Sequence, residues 1–200
     1  MEGVDSEAAI AVGIGHGEVS EPEPAGSALD EKRLISQARR GDEDAVERLV
    51  RAHWDDAHRV AWMMLGDERA AEDVAQEAML AALRALPAFD RRRPLAALVR
   101  RITTNRALDV IRARGSRPVE VDGEPPEGLS PEQDAGLSDP LQRALGRLGA
   151  EDRAAIVLRY LFGYTAVEVG AMLGMPAATV RTRLRRARLS LKRDLEEADD

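Results

Sequence analysis

Residues 164–191 read YTAVEVGAMLGMPAATVRTRLRRARLSL, and the architecture follows from how this stretch punctuates itself. Thr165 and Glu168 stand three apart, the spacing at which a threonine hydroxyl caps a helix start and a glutamate reaches back to the cap's own N–H. Val169, Met172 and Leu173 then recur at three- and four-residue steps, Gly174 ends the helix, and Met175 and Pro176 make the turn. A second helix repeats an inward face through Val180, Leu184, Ala187 and Leu191. Two helices joined by a short glycine-containing turn predict a helix-turn-helix.

The second of these helices is also where the positive charge lies. Residues 181–193 hold seven basic side chains (Arg181, Arg183, Arg185, Arg186, Arg188, Lys192 and Arg193) and no acid, whereas the whole chain carries a formal charge of minus 7. A solvated helix face usually mixes signs, so a one-signed row points to a polyanion. A helix fits the major groove of duplex DNA, where residues near its start meet base edges and flanking arginines meet phosphates. Ala178, Thr179, Arg181, Thr182 and Arg185 are the base-facing candidates, with Thr179 alternatively a local cap. Arg183, Arg186, Arg188 and Lys192 suit phosphates or the far wall of the groove.

The compensating negative charge sits in two segments. Residues 1–31 contain eight acids and no Lys or Arg among Gly, Pro and Ser, which predicts a disordered acidic tail. Its charge is opposite to that of the arginine helix, which suggests that the tail competes with DNA for it. Residues 115–138 are acidic and hold four prolines, which predicts a flexible linker. Between and beyond them lie two blocks, 32–114 and 139–197.

In the first block a short helix over residues 32–40 stops at Gly41, and Asp42 caps a long helix ending at Gly66. Its apolar stripe runs Val46, Leu49, Val50, Trp54, Ala57, Val60, Ala61, Met64 and Leu65. Asp67 starts the next helix, which buries Ala71, Val74, Ala75, Ala78, Ala82 and Leu86 and places Glu72, Asp73 and Glu77 on or beside the solvent face before Pro87 ends it. A loop with Phe89, Asp90 and three consecutive arginines leads to a helix over residues 95–114, with Leu95, Leu98, Val99 and Ile102 inward. The second block starts at Asp139, Pro140 and Gln142, which suit the cap, first-turn and third positions of a helix start. A further helix over residues 151–161 precedes the helix-turn-helix. The fold class is therefore all-α: two small helical domains joined by an acidic linker, the second a helix-turn-helix domain.

Inventory narrows the function classes. With no cysteine, thiolate metal sites and cysteine nucleophiles are excluded. His16, His53 and His58 have no metal-ligand spacing and read as surface or helix-face residues. No cofactor is expected. No glycine-rich phosphate loop or nucleophile accompanies Glu72, Asp73 and Glu77, so that face is either simply solvated or a docking surface for a basic partner. There is no signal-like amino terminus and no apolar run of the ~20 residues needed to span a bilayer, so the expected location is the cytoplasm, without membrane insertion.

Residues 66–86, GDERAAEDVAQEAMLAALRAL, resemble the second conserved region of extracytoplasmic-function sigma factors, and the spacing of Ile102, Asn105, Asp109 and Arg112 continues the likeness. Residues 153–191 resemble the fourth conserved region. The resemblance implies a non-enzymatic sigma factor that binds core RNA polymerase and directs promoter recognition and transcription initiation. It implies that Glu72, Asp73 and Gln76 dock on the clamp helices of the largest polymerase subunit, and that Asn105, Arg106, Asp109 and Arg112 lie near the melted minus-ten element. It also implies that the second domain packs on the polymerase flap, with Ala178, Thr179, Arg181, Thr182, Arg185, Arg186 and Arg188 at the minus-thirty-five element. An anti-sigma factor is an expected partner. Two departures stand out: Leu95 and Leu98 replace the family's common Phe and Trp, and Gly170 replaces its usual Ala, which by propensity costs about 1 kcal/mol and predicts a less rigid helix. The alternative function is a helix-turn-helix regulator acting outside the polymerase, which leaves the residue 66–86 helix without a role.

Overall fold

A computed structural model describes residues 28–114 and 139–199, and every element among them is helical. Of the acidic segments, residues 1–27 and 115–138 lie outside the described residues, as does His16. The first domain comprises α1 (Ala28–Ala38), α2 (Glu43–Leu65), α3 (Glu68–Ala85) and α4 (Leu95–Arg114). The second comprises α5 (Asp139–Arg147), α6 (Ala150–Ile156) with a π-helical turn over Val157–Leu161, α7 (Ala166–Leu173) and α8 (Ala177–Asp199).

The local signals act where the sequence puts them. Asp42 and Asp67 cap α2 and α3 by accepting hydrogen bonds from Ala45 N and Ala70 N, each at 3.0 Å. Gly66 (φ +64°) and Gly174 (φ +68°) end α2 and α7 in the left-handed conformation. The capping box of Thr165 and Glu168 is present in full. All four inward positions of the last helix, Val180, Leu184, Ala187 and Leu191, are buried.

Four expectations need correction. The first helix begins at Ala28, not residue 32, so the tail does not extend to residue 31: Glu31 accepts from Leu95 N at 3.3 Å and faces His53 Nε2 at 3.4 Å, tying α1 to α2 and α4. Of the two readings of His53 and His58, helix face holds and surface does not: both lie on α2 but are buried, beside Glu31 and Glu68. Gln142 does not serve its own helix start. It is buried, and its Nε2 donates to Trp62 O of α2 at 3.0 Å. Finally, Gly170 is no loosening substitution: a Cβ there would lie 2.5 Å from the Met175 carbonyl oxygen.

Two apolar clusters hold the described residues together. One lies within the first domain, where Ile35, Leu49, Met79, Leu95 and Val99 join α1 to α4. The other crosses between domains: Trp62, Met63, Ala107 and Leu108 are continuous with Leu145, Leu148, Ile156 and Leu158. The α2 stripe expected from periodicity leaves Trp62 and Met63 facing outward, yet they are only 2 and 5 percent exposed because the second domain covers them. A helix end apolar all round, as residues 61–65 are, is buried all round.

Candidate nucleic-acid interface

On α8 the outward residues divide into free and engaged ones. Ala178, Thr179, Arg181, Thr182 and Arg185 are exposed along the first two turns, and Arg188 is half-buried one turn further. The Thr182 hydroxyl donates back to Ala178 O at 3.1 Å, while Thr179 lies inside the helix rather than at its cap. Arg183 and Arg186 are held from α6. Asp152, buried, accepts from Arg183 Nη1 at 2.8 Å and from Arg186 Nε at 3.0 Å, and Glu151 lies 2.7 Å from Arg183 Nη2. The Asp152 hydrogen bond raises the Arg183 pKa above its ordinary value, so this arginine is a fixed positive charge. Arg181 and Arg185, four residues apart on neighbouring turns, make no ion pair among the described residues and are the side chains free to reach a base edge. The turn before them is tied to α7: Met175 N donates to Gly170 O at 2.9 Å, drawing the turn onto α7 at the glycine.

In the first domain, Asn105, Arg106, Asp109 and Arg112 are all exposed on α4. Arg101, four residues before Asn105, extends that face and was missed; the helical spacing alone would have found it. Glu72, Asp73 and Gln76 are exposed on α3, as is Glu77, which lies 3.6 Å from Arg106. The acidic face of α3 and the polar face of α4 are thus neighbours, linked by a weak surface pair. Leu80, not singled out by the sequence, is a large apolar side chain 51 percent exposed one turn beyond Gln76.

The arginine loop between α3 and α4 is tethered. Arg39 Nε donates to Leu86 O at 2.8 Å and its Nη2 to Phe89 O, while Arg91 reaches Ser36 Oγ at 2.6 Å. Arg92 and Arg93 remain exposed.

The two polar faces meet across the domain boundary. Glu151, which pairs with Arg183 of α8, also accepts from Arg112 Nη2 of α4 at 3.2 Å. Arg100 of α4 pairs with Asp56, lies 4.4 Å over the Phe162 ring and donates to the Tyr164 hydroxyl at 3.1 Å. Among the described residues no group of three or more His, Cys, Asp or Glu could hold a metal ion, and no helix is long and apolar enough to cross a membrane.

Comparison with known proteins bears on both faces. Residues 49–117 match the family model described as Sigma-70 region 2, and residues 138–191 that described as Sigma-70, region 4. The ECF RNA polymerase sigma factor SigW of Bacillus subtilis strain 168 is 32 percent identical over 183 residues, an alignment covering 83 percent of this chain and 97 percent of that protein. The structure of CnrH in complex with the cytosolic domain of CnrY is similar with a TM-score of 0.61 at 30 percent identity, covering 85 percent of this chain and 99 percent of that one. The sigma factor RpoE, solved in complex with the anti-sigma factor NepR from Bartonella quintana, shares the fold with a TM-score of 0.60 at 23 percent identity, covering 75 and 96 percent.

Proposed function

The chain belongs to the extracytoplasmic-function family of RNA polymerase sigma factors, and from that premise we propose how its parts divide the work of initiation. It is a sigma factor that binds core RNA polymerase and directs promoter recognition and transcription initiation. In our reading the domain of residues 28–114 docks through Glu72, Asp73 and Gln76 on the clamp helices. There Asn105, Arg106, Asp109 and Arg112 contact the opened minus-ten element. The domain of residues 139–197 packs on the flap and lays α8 in the major groove of the minus-thirty-five element. Arg181 and Arg185 read bases there, while Ala178, Thr179 and Thr182 line the edge and Arg188 meets phosphate. Arg186 contributes to the phosphate contacts only after leaving Asp152. The chain supplies specificity to a reaction that the polymerase performs, in the cytoplasm, and an anti-sigma factor holds it in reserve, as the pairing in the RpoE–NepR complex suggests by analogy.

The observation that carries this reading is the presence, on separate domains of one chain, of an exposed acidic helix face beside a polar one and of a one-signed basic helix. A repressor needs only the last. The test is run-off transcription from a promoter library with core polymerase of the source bacterium, with and without the chain. Promoter-specific transcripts that require the chain are expected; their absence with a polymerase that remains active on nicked templates would overturn the assignment.

A further inference from the structure

The loop between α3 and α4 is moulded on α1 and the residue that follows it. At its entrance Arg39 donates through Nε to Leu86 O at 2.8 Å and through Nη2 to Phe89 O. At its tip Arg91 Nη1 donates to Ser36 Oγ at 2.6 Å, and that hydroxyl donates in turn to Lys32 O at 2.8 Å. At its exit Glu31 accepts from Leu95 N, the first residue of α4. Between these points the chain closes a tight turn: Asp90 accepts from Arg92 N through its side chain and from Arg93 N through its carbonyl, each at 3.0 Å. The Arg39 guanidinium thus lies at the carboxyl end of α3, where the helix dipole favours a cation, and its two donors on one planar fork fix residue 86 relative to residue 89.

What this moulding holds in place is charge. Arg39, Arg91, Arg92 and Arg93 bring four guanidinium groups to a loop whose one acid, Asp90, is engaged with Arg92 N. Glu31 is taken up by His53 and Leu95 N. Arg92 and Arg93 are exposed and make no ion pair among the described residues, and Lys32, also exposed, adds a charge one turn before Ser36 on the same face of α1. Like charges held this close repel one another, so the arrangement costs free energy in the isolated chain, and a polyanion relieves it.

The position of the loop selects the polyanion. Pro94, Arg101, Asn105 and Arg112 follow at seven- and four-residue steps, one strip along α4 about 27 Å long at ~1.5 Å per residue. The stretch from Asn105 to Arg112, assigned to the minus-ten element, covers about 10 Å of it. A strand lying along the strip, with a phosphate every ~3.4 Å, passes several phosphates more before it reaches the loop. Two cations beside the minus-ten stretch are already engaged, Arg106 with Glu77 at 3.6 Å and Arg112 with Asp109 at 3.5 Å, so the unpaired positive charge lies at Arg101 and the loop.

We propose that α1 and this loop form a phosphate-binding surface separate from the minus-ten contacts, in which Arg92 and Arg93 hold the backbone of the promoter strand and Arg39 is the positioning residue that sets them. The identity of the strand rests on the sigma-factor reading. The test is an equilibrium titration of holoenzyme, assembled with the full chain, on promoter DNA over a salt series. Joint replacement Arg92→Ala and Arg93→Ala should lower affinity about tenfold at about 100 mM salt, equally on a promoter with a substituted minus-ten element. The slope of log affinity against log salt should fall by about 1.4 to 1.8, two contacts at ~0.7 to 0.9 each. Binding of the variant to core polymerase without DNA should match wild type.

Arg39→Ala should lose about three- to tenfold alone and nothing further in the Arg92→Ala, Arg93→Ala background, because a residue that acts through the loop has no effect once the loop's charges are gone. Should Arg39→Ala not fold, Arg39→Lys, which keeps the charge without the two-pronged grip, carries the same cycle. An unchanged salt slope in the paired variant overturns the phosphate surface. So does a loss that appears in core binding, which would assign the arginines to an acidic face of polymerase. Equal losses from the Arg39 substitution in both backgrounds overturn its positioning role. Run-off transcription by the wild-type holoenzyme separates these failures from failure of the sigma-factor reading: promoter-specific transcripts together with an unchanged slope sink only this surface.

Discussion

At Gly170 a methyl group has no room. Its Cβ would meet the Met175 carbonyl at 2.5 Å, and that contact is backbone, so the α7–α8 turn must shift to admit it. Propensity favours alanine by about 1 kcal/mol, but overpacking of this kind costs about 1 to 3 kcal/mol and wins. Gly170→Ala should therefore lower the melting temperature of the second domain by several degrees in a calorimetric scan, where propensity alone predicts a rise. Glu31 makes a second residue-scale case. Its pKa is lowered, first by the hydrogen bond with His53 and then by that from Leu95 N, against partial burial. A carboxylate held below its ordinary value contributes stability above about pH 4.5, and that contribution is lost as pH falls through the lowered value. Glu31→Gln should accordingly melt below wild type at pH 7, with the gap closing as pH falls below about 4.5. A gap independent of pH would mean that the carboxylate's charge plays no part. Neither effect could be read from residue spacing alone: His53 meets Glu31 only through the fold, and the closeness of Met175 O to Gly170 depends on how tightly the turn closes.

At the scale of elements, local chemistry was largely sufficient. The Thr165–Glu168 box, the Asp42 and Asp67 caps and the glycine stops at 66 and 174 are interactions within a few residues, and each is where its spacing predicts. What the spacing of α8 did not reveal is that its arginines are of two kinds, since Asp152 comes from another helix. Arg183→Ala removes one partner of a buried carboxylate and should destabilise the second domain by about 1 to 3 kcal/mol in urea unfolding, as well as weakening DNA binding. Arg185→Ala should leave unfolding unchanged and cost about 1 to 3 kcal/mol on the cognate minus-thirty-five duplex, with much less lost on a scrambled one. Equal losses on both duplexes would reassign Arg185 to phosphate. On α3, reversing Glu72 and Asp73 to Lys should weaken core-polymerase binding in a titration while helicity by circular dichroism stays the same, because both are exposed and contribute little to folding.

At the scale of the whole molecule, Trp62, Met63, Gln142 and Arg153 were illegible for one reason: their partners lie across the domain boundary, 80 or more residues away for the pairs Gln142–Trp62 and Arg153–Met64. The charge balance, by contrast, was open to reading from the start, and it carries the last prediction. Residues 1–27 hold six of the chain's acids and no Lys or Arg, so deleting them changes the formal charge from minus 7 to minus 1. If these acids compete with DNA for the exposed arginines of α8, the competition is electrostatic and lies within reach of salt. The screening length is ~10 Å at 0.1 M and ~3 Å at 1 M. Deletion of residues 1–27 should then tighten binding of the holoenzyme to promoter DNA at 50 mM salt, and the advantage should shrink steadily as salt rises toward 300 mM. Because α1 begins at Ala28 and Glu31 is retained, the truncated chain should keep the melting temperature of the full one. Any change in affinity can then be assigned to charge rather than to folding. Parallel salt curves for the two proteins would show that the tail does not act on the DNA-reading helix.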